Sequence, residues 1–276
     1  MKINCSLNGK AISKKDAKIS IFDNSLFYAD GLFETFLAIE DRVVFIEDHL
    51  DRLYRGAELI GITIPYSRKT IQRWINEANC KNSASIKKLR LTITSGDSAF
   101  WAGKRSHPRV IVIVTEFTPF KKPFRLTVAP FRVDSKSPFR NVKTLSFIIE
   151  MTSRKRAYAS KYDDGILLNR QGNVAETTSA NIFWIKNGRL FTTPLTAGCL
   201  EGMTRKHILE IAQENGIPIS IKNIKLGNLV KSDEIFIASS LKLIVPVSSI
   251  TDKDTIEFPT GPLTKRLKKL LLNSIK

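Results

Sequence analysis

Apolar residues recur along this chain in two patterns, one typical of helices and one typical of strands. Within residues 46–60 the apolar side chains stand three or four positions apart, at Leu50, Leu53, Ala57 and Ile60. This spacing places them on one face of a helix, so the segment is predicted to be an amphipathic helix. A second helix is predicted over residues 67–78, with the hydroxyl of Ser67 as its N-cap.

Strand patterns account for most of the other residues up to 117. Runs rich in β-branched and aromatic residues predict strands at 1–7, 18–22, 31–39, 43–45, 89–94 and 109–115. The phrase Asn8-Gly9-Lys10 is predicted to turn the chain between the first two strands, and residues 40–42 are predicted to form a hairpin turn. Residues 1–117 are therefore predicted to form a small α+β domain.

A short proline-containing segment follows this domain. Residues 118–123 (TPFKKP) hold two prolines and two lysines, which predicts an interdomain linker. The remaining residues, 124–276, are predicted to form a larger domain with strands at 124–131, 165–169 and 182–185. Its predicted helices are 144–161 and 204–214, the second ending at Asn215-Gly216. The expected fold class is therefore α+β with two domains.

The composition is that of an ordinary globular protein, with 276 residues of which 42% are hydrophobic and 25% charged. No run approaches the roughly 18 consecutive apolar residues of a membrane span. The first residues lack the apolar core of a signal peptide, so we expect a cytoplasmic protein. Cys5, Cys80 and Cys199 have no paired spacing, which argues against a disulfide framework or a zinc site, and no metal is predicted.

The formal net charge of +18 raises the question of a nucleic-acid partner. The basic residues are spread along the whole chain, with short clusters at 121–122, 154–156 and 265–269. None of these clusters is interleaved with aromatic residues, as a platform for stacking single-stranded bases would be. The charge therefore favours a solvated basic surface that attracts anionic metabolites over a site for nucleic acid or a membrane.

An amine and a carboxylate are the first two candidates for chemistry. Lys143 precedes a predicted helix, and a lysine whose partial burial favours the neutral amine forms Schiff bases. Its alternative role is that of a surface lysine. Glu176 follows a turn and precedes an apolar strand, where a carboxylate could keep a pyridine nitrogen protonated. Its alternative role is that of a loop or helix-capping glutamate.

The other candidates are suited to holding a phosphate. Gly202-Met203-Thr204 lies where a loop becomes a helix, and the N–H groups and dipole of a helix start attract anions. The alternative is a simple N-cap by Thr204. Arg52 offers a two-pronged charged grip, unless it lies on a solvated helix face. Ser240 follows an apolar run and offers a hydroxyl at a strand end. An amine, a carboxylate and an anion-binding helix start are what a protein needs to hold pyridoxal phosphate (PLP).

Taken together, these segments resemble the class IV, or fold-type IV, PLP-dependent enzymes. That family contains branched-chain aminotransferases, D-amino-acid aminotransferases and aminodeoxychorismate lyases. The resemblance runs from Asp30-Gly31-Leu32-Phe33-Glu34-Thr35 to Ile244-Val245-Pro246-Val247 and is most specific over residues 165–205. It implies a small α+β N-terminal domain, a larger pseudo-barrel C-terminal domain and a homodimer.

The resemblance also implies a role for individual residues. Lys143 would be the catalytic Schiff-base lysine, and Glu176 would be the partner of the pyridine nitrogen. Leu200 would pack near the cofactor ring. The phosphate would be held by Arg52, Ser240 and the amides of Met203 and Thr204.

Within the family, three phrases favour an aminodeoxychorismate lyase, which makes 4-aminobenzoate and pyruvate for folate-precursor synthesis. They are Lys143-Thr144-Leu145, Phe33-Glu34-Thr35 and Ser240-Leu241. Ser146 and Phe147 depart from the asparagine and tyrosine of relatives, and the loop 95–103 lacks the arginine motifs of both lyases and D-amino-acid enzymes.

The alternative is a transaminase that moves an amino group between a D-amino acid or a branched-chain amino acid and a 2-oxo acid. In either case the substrate is a small amine or amino acid. Its carboxylates are expected to meet Arg90, Lys104 or Arg105, with Tyr28 lining the pocket.

Overall fold

A computed structural model of the chain describes residues 3–97 and 107–275. The chain forms two compact units. Unit 1 comprises Met1–Pro119 and Val142–Ser146, and unit 2 comprises Phe120–Asn141 and Phe147–Lys276. The short segment 142–146, which contains Lys143, thus belongs with unit 1 although it follows residues of unit 2 in the chain.

The described part of unit 1 contains a six-stranded antiparallel sheet in the order β2-β1-β6-β5-β3-β4. Its strands are β1 (Ile3–Leu7), β2 (Lys10–Ile12), β3 (Gly31–Ile39), β4 (Arg42–Val43), β5 (Ile86–Thr94) and β6 (Arg109–Glu116). The expectation of a strand at 18–22 is wrong. Asn8 and Gly9 both have positive φ, the requirement of a two-residue hairpin turn, so the partner of β1 begins immediately at Lys10.

Both helices predicted from apolar spacing in unit 1 are confirmed. The helices are α1 (Asn24–Tyr28), α2 (Ile46–Leu59) and α3 (Arg68–Cys80), with a 3₁₀ turn at Lys14–Asp16. The Ser67 hydroxyl accepts a hydrogen bond from the Thr70 N–H at 3.2 Å, as an N-cap does. Leu50 and Leu53 of α2 and Ile71 and Ile75 of α3 are buried in the core of unit 1. The two helices therefore bury their apolar faces together with one face of the sheet.

Alternation along β3 separates two environments. Leu32 and Phe36 point to the face that carries the helix-packed core. Glu34 lies between them on the same face, whereas Phe33 and Thr35 point to the opposite face. This one strand therefore presents residues to both sides of the sheet.

The described part of unit 2 contains a nine-stranded mixed sheet, in the order β12-β11-β10-β13-β14-β7-β8-β9 with β15 paired to β14. Its strands are β7 (Phe124–Val133), β8 (Asp164–Asn169), β9 (Val174–Thr177), β10 (Asn181–Lys186), β11 (Arg189–Thr192), β12 (Ile219–Ile221), β13 (Glu234–Ser239), β14 (Leu243–Thr251) and β15 (Thr255–Glu257). The rings of Phe183 and Phe236 stack in its core with centroids 4.8 Å apart. The predicted strands at 124–131, 165–169 and 182–185 are confirmed.

The helices of unit 2 differ from prediction at one boundary. They are α4 (Ile148–Ala159), α5 (Met203–Glu214), α6 (Leu226–Leu229) and α7 (Pro262–Ser274), with 3₁₀ turns at Pro138–Asn141 and Leu195–Ala197. The expected helix start at residue 144 is wrong, because Thr144 bridges Leu32 of β3 and the helix begins only at Ile148. The α5 helix ends before Asn215, as predicted. Within residues 3–97 and 107–275, no helix has the length and apolarity needed to cross a membrane.

Candidate active site

The main chain around Lys143 is fixed to the edge of β3. The Phe33 N–H donates to the Lys143 carbonyl at 2.9 Å, and the Leu145 N–H donates to the Gly31 carbonyl at 2.9 Å. Gly31 permits this approach, because a Cβ there would lie 2.6 Å from Leu145 Cδ1 and 2.5 Å from the Ile93 carbonyl oxygen. The lysine therefore extends from a backbone that is hydrogen-bonded on a rigid strand.

Two cations share one aromatic ring on the open face of β3. Lys143 Nζ lies 4.4 Å from the centroid of the Phe33 ring, and Arg90 Cζ lies 3.8 Å from the same centroid. Arg90 comes from β5, where it is directly opposite Thr35, and its Nε donates to the Thr92 hydroxyl at 3.3 Å. Burial lowers the pKa of Arg90 from its usual value. The guanidinium that the sequence assigned to substrate carboxylates thus lies over the same ring as the predicted catalytic amine.

Arg52 lies on the opposite side of β3, in a buried ion cluster. Its Nε and Nη2 donate to the two carboxylate oxygens of Glu34 at 2.8 and 2.6 Å. His49 Nδ1 lies 2.7 Å from Glu34 Oε2. Burial alone raises the pKa of Glu34, but the charge of Arg52 and then the His49 partner outweigh it and lower that pKa to about 2. The predicted phosphate contact of Arg52 stays a prediction, and the structure adds a carboxylate that orients its guanidinium.

His49 is kept neutral by its surroundings. Burial lowers the pKa of His49 below its usual value, against the opposing attraction of Glu34. The positive charges of Arg52 and Lys143 lower it further. The histidine therefore acts as a neutral hydrogen-bonding partner that holds Glu34 in place.

In unit 2, Glu176 is buried on β9 beside an arginine that sequence reasoning missed. Arg140 Nη2 donates to Glu176 Oε1 at 2.9 Å, and Arg140 Nη1 donates to Glu150 Oε1 at 2.5 Å. The Nε of Arg140 donates to the Gly198 carbonyl at 2.9 Å. A carboxylate that accepts from a guanidinium is ionised, which is the state needed opposite a protonated pyridine nitrogen. The signal was present in the sequence, since Arg140 stands three positions before Lys143.

Asn181 joins Glu176 to the start of α5. Its Nδ2 donates to Glu176 Oε2 at 3.4 Å and to the Leu200 carbonyl at 2.8 Å. A Cβ at Gly202 would lie 2.0 Å from Asn181 Oδ1, so the position requires glycine. The structure therefore brings together Glu176, Leu200 and the first turn of α5, through an amide to which the sequence assigned no role.

The first turn of α5 has the properties of a phosphate site. The N–H groups of Met203 and Thr204 belong to a helical turn that offers them no intrahelical acceptor. The Thr204 hydroxyl is buried, and within the described residues it has no hydrogen-bond partner. The same holds for Nε of Arg205, whose Nη2 donates to the Thr193 carbonyl at 3.0 Å. Buried donors without a partner fit the oxygen atoms of a phosphate, so these residues suit the 5′-phosphate of PLP.

A second buried carboxylate fixes the turn that follows Glu176. Asp164 accepts from the Thr177 hydroxyl at 3.0 Å and the Ser179 hydroxyl at 2.5 Å. The Thr178 hydroxyl and the Gly165 N–H also donate to it. Lys242 Nζ, in the turn after β13, donates to the Ser179 hydroxyl at 2.8 Å. The turn that ends the Glu176 strand is therefore held by charged groups on two neighbouring elements.

The remaining predicted residues are less constrained. Ser240 lies half-buried in the turn after β13, and its phosphate contact stays a prediction. Tyr28 is the last residue of α1 and is exposed. Lys104 and Arg105 lie outside the described residues. Cys199 is buried, and its burial together with the negative charge of Glu176 raises its pKa to about 11, so its thiol stays protonated at neutral pH.

Comparison with known proteins identifies relatives over almost the whole chain. The model of the amino-transferase class IV family matches residues 31–250. A putative branched-chain-amino-acid aminotransferase of Methanocaldococcus jannaschii is 32% identical and covers 95% of this chain and 93% of its own length. The aminodeoxychorismate lyase of Bacillus subtilis is 27% identical and covers 98% of this chain and 94% of its own length.

The fold also matches a solved enzyme. The branched-chain aminotransferase of Thermoproteus uzoniensis, solved with norvaline, superposes with a TM-score of 0.91 at 26% identity. The match covers 99% of this chain and 94% of that one. The α+β fold is therefore fold-type IV, as the sequence predicts.

Proposed function

Because this chain belongs to the amino-transferase class IV family, whose members depend on PLP, we propose that it is an aminodeoxychorismate lyase. The chain is a PLP-dependent enzyme that acts on the amino group of a small molecule. The proposal concerns which amine it uses. The reaction would split aminodeoxychorismate into 4-aminobenzoate and pyruvate.

The observation that carries the proposal is the platform formed by Phe33, Arg90 and Lys143. Aminodeoxychorismate is a cyclic amine with two carboxylates, so its site must offer an apolar surface and a cation beside the amine-binding lysine. Phe33 is the apolar surface, and Arg90 and Lys143 lie over its ring at 3.8 and 4.4 Å. Thr35 stands opposite Arg90 and adds a hydroxyl next to the guanidinium. The phrase Phe33-Glu34-Thr35, which favours the lyases, supplies two of these groups.

The chain's residues divide the remaining tasks. PLP, when bound, takes up the electron pair released at the substrate carbon that carries the amine. Lys143 would hold the cofactor and then move the proton at that carbon. Glu176, held ionised by Arg140, would keep the ring nitrogen protonated. The first turn of α5 and the Thr204 hydroxyl would hold the phosphate.

A transaminase is the second candidate, and the M. jannaschii relative favours it. That protein is 32% identical, against 27% for the B. subtilis lyase. The Arg90 guanidinium would serve the carboxylate of an amino acid equally well. Lys143 and Glu176 have the same roles in both reactions, so the two candidates differ only in their substrates.

Activity with defined substrates tests the proposal. Purified protein loaded with PLP should release pyruvate and 4-aminobenzoate in equal amounts from aminodeoxychorismate. D-alanine or L-leucine with 2-oxoglutarate should give no glutamate. Glutamate formation without pyruvate release would replace the lyase by the transaminase, and absence of visible cofactor absorbance in the loaded protein would contradict both.

Two variants test the assigned residues in the same assay. Lys143→Ala should abolish the visible absorbance and the turnover, whereas Lys155→Ala, at an exposed site on α4, should preserve both. Arg90→Lys should raise KM with a smaller change in kcat, because a lysine lacks the planar fork that pairs with a carboxylate. An unchanged KM would remove Arg90 from the substrate site.

A homodimer is part of the proposal, and an exposed apolar surface on unit 1 supports it. Large apolar side chains on and just before α1 are exposed, namely Ile21, Phe22, Leu26, Phe27 and Tyr28. Contiguous exposed apolar residues mark interaction sites. Light scattering should give twice the chain mass of 31.1 kDa for the wild type. Phe22→Asp should shift the protein towards the monomer, while Leu59→Asp, at an exposed position on α2, should not. A monomeric wild type would contradict the dimer.

A further inference from the structure

Two of the basic clusters seen in the sequence meet at one cavity in unit 2. The cavity has a volume of about 240 Å³. One wall is the segment 120–123, another is the first part of α7, and Val245 and Pro246 of β14 contribute an apolar wall. None of its lining residues belongs to the predicted contacts of PLP. Four lysines line it, Lys121, Lys122, Lys265 and Lys268.

The segment that carries Lys121 and Lys122 is anchored by its neighbours. The Phe120 ring packs edge-on against the buried Phe124 ring, with centroids 5.1 Å apart and planes at 88°. Lys242 Nζ lies 5.5 Å from the Phe120 centroid on the same side chain. The two lysines that follow Phe120 are therefore attached to a fixed point of the cavity wall.

The α7 wall is fixed in a different way. The Glu234 carboxylate accepts from the N–H groups of Leu263 and Thr264 at 3.1 and 2.8 Å. A Cβ at Gly261 would lie 2.1 Å from Glu234 Cδ, so glycine is required for this contact. Lys265 and Lys268 are one helical turn apart and line the cavity together. Because Glu234 already occupies the start of α7, the helix N–H groups do not supply the anion attraction, and the lysines do.

The charge of the cavity wall is not balanced within the described residues. No lining residue is acidic, and none of the four lysines forms an ion pair in residues 3–97 and 107–275. The Thr264 hydroxyl, also in the lining, is buried and has no hydrogen-bond partner there. Four ammonium groups around one concavity repel one another and concentrate anions. A bound anion would relieve the repulsion and offer the hydroxyl an acceptor.

We propose that this cavity binds a small multivalent oxyanion, a diphosphate or a polycarboxylate, outside the catalytic reaction. The volume is below the roughly 300 Å³ at which pockets for drug-sized ligands begin, so the ligand is small. Lysine is a compact, mobile point charge without the fork of arginine, which suits high ligand charge more than one fixed geometry. The apolar wall of Val245 and Pro246 has room for the carbon skeleton of a polycarboxylate or the body of an organic diphosphate.

Calorimetric titration of the PLP-loaded protein with inorganic pyrophosphate tests the proposal, because the cofactor then fills its own phosphate site. We expect one pyrophosphate bound per chain, with acetate producing no measurable heat. The double variant Lys265→Gln/Lys268→Gln should bind at least about tenfold more weakly, since it loses two of four charged donors. Citrate in place of pyrophosphate distinguishes the two ligand classes, and the one that binds more tightly defines the class.

A matched double variant controls for the loss of overall charge. Lys253→Gln/Lys269→Gln removes two exposed lysines outside the cavity lining and should bind pyrophosphate as the wild type does. Equal weakening in both double variants would reduce the effect to general surface charge and overturn the proposal. So would the absence of pyrophosphate and citrate binding by the wild type. Turnover in both variants reports separately on the catalytic site.

Discussion

The two units each bury a glutamate against an arginine, but in different proportions. In unit 1, Glu34 accepts two bonds from Arg52 and lies beside the neutral His49, so one carboxylate meets one guanidinium. In unit 2, the guanidinium of Arg140 is shared by Glu176 and Glu150. Removing the first carboxylate deprives a buried arginine of its carboxylate partner, whereas removing Glu176 leaves Arg140 with Glu150. The comparison teaches that the Glu34 cluster serves stability, and that the Glu176 cluster tolerates changes in favour of chemistry.

The largest expected effect comes from Glu34→Gln. Breaking a buried ion pair from one side costs about 3–5 kcal/mol of unfolding free energy, and we expect a loss in this range with or without PLP. Urea unfolding of the variant and the wild type measures it. Glu58→Gln, an exposed change on α2, should alter the stability by less than about 0.5 kcal/mol. A loss of under 1 kcal/mol in Glu34→Gln would show that the cluster is not a source of stability.

Glu176→Gln should show the opposite balance. We expect unfolding free energy within about 1 kcal/mol of the wild type, because Arg140 keeps its bond to Glu150. Turnover should fall about 10²–10³-fold, the cost typical of losing a preorganised charge at the reacting centre. Glu150→Gln is the matched control on the same guanidinium and should retain most of the activity. Equal losses in the two variants would assign the effect to Arg140 instead of the pyridine nitrogen.

A smaller effect sharpens the comparison through pH. The pKa of Glu34 is lowered from 4.5 to about 2, so the folded state binds its proton more weakly than the unfolded state. The stabilisation is therefore complete above about pH 4.5 and is lost as the pH falls towards 2, by about 1.4 kcal/mol per unit. The stability gap between wild type and Glu34→Gln should narrow over this window.

His49 adds a step at higher pH with the same sign. Its pKa is lowered from 6.5, so the unfolded state takes up a proton more readily and stability declines as the pH falls below about 6.5. Unfolding of the wild type between pH 7 and pH 5 measures this step before Glu34 titrates. A wild type that gains stability on acidification in this range would contradict the assignment of a neutral buried His49.

Local patterns in the sequence predicted the parts of the fold that local physics controls. The apolar spacing of α2 and the Ser67 cap of α3 are examples, since both depend on residues within one or two helical turns. The predicted strand at 18–22 failed because the Asn8-Gly9 turn closes the hairpin within two residues. The helix start at 144 failed because residues 143–145 pair with β3, and no periodicity within the segment records a partner so far away.

The candidate site divides along the same line. Lys143, Glu176 and the start of α5 were found because each stands in a phrase with a recognisable local role. Arg140 and Asn181 were missed because their importance lies in what they contact, Glu150 and Leu200 among others, and those partners are far apart in the sequence. Arg90 was named for its charge, but its place over the Phe33 ring depends on the register of two strands.

The pairing of residues 143–145 with β3 has a consequence for synthesis on the ribosome. When Pro119 has been made, the nascent unit 1 still presents the edge of β3 at Gly31 and Phe33, which close only when residues 143–145 emerge. An open strand edge is where partly made chains associate wrongly. The amide of Phe33 should exchange with deuterium rapidly in a chain ending at residue 119 and slowly in the full chain. Equal protection would mean that the edge is closed before Lys143 is synthesised.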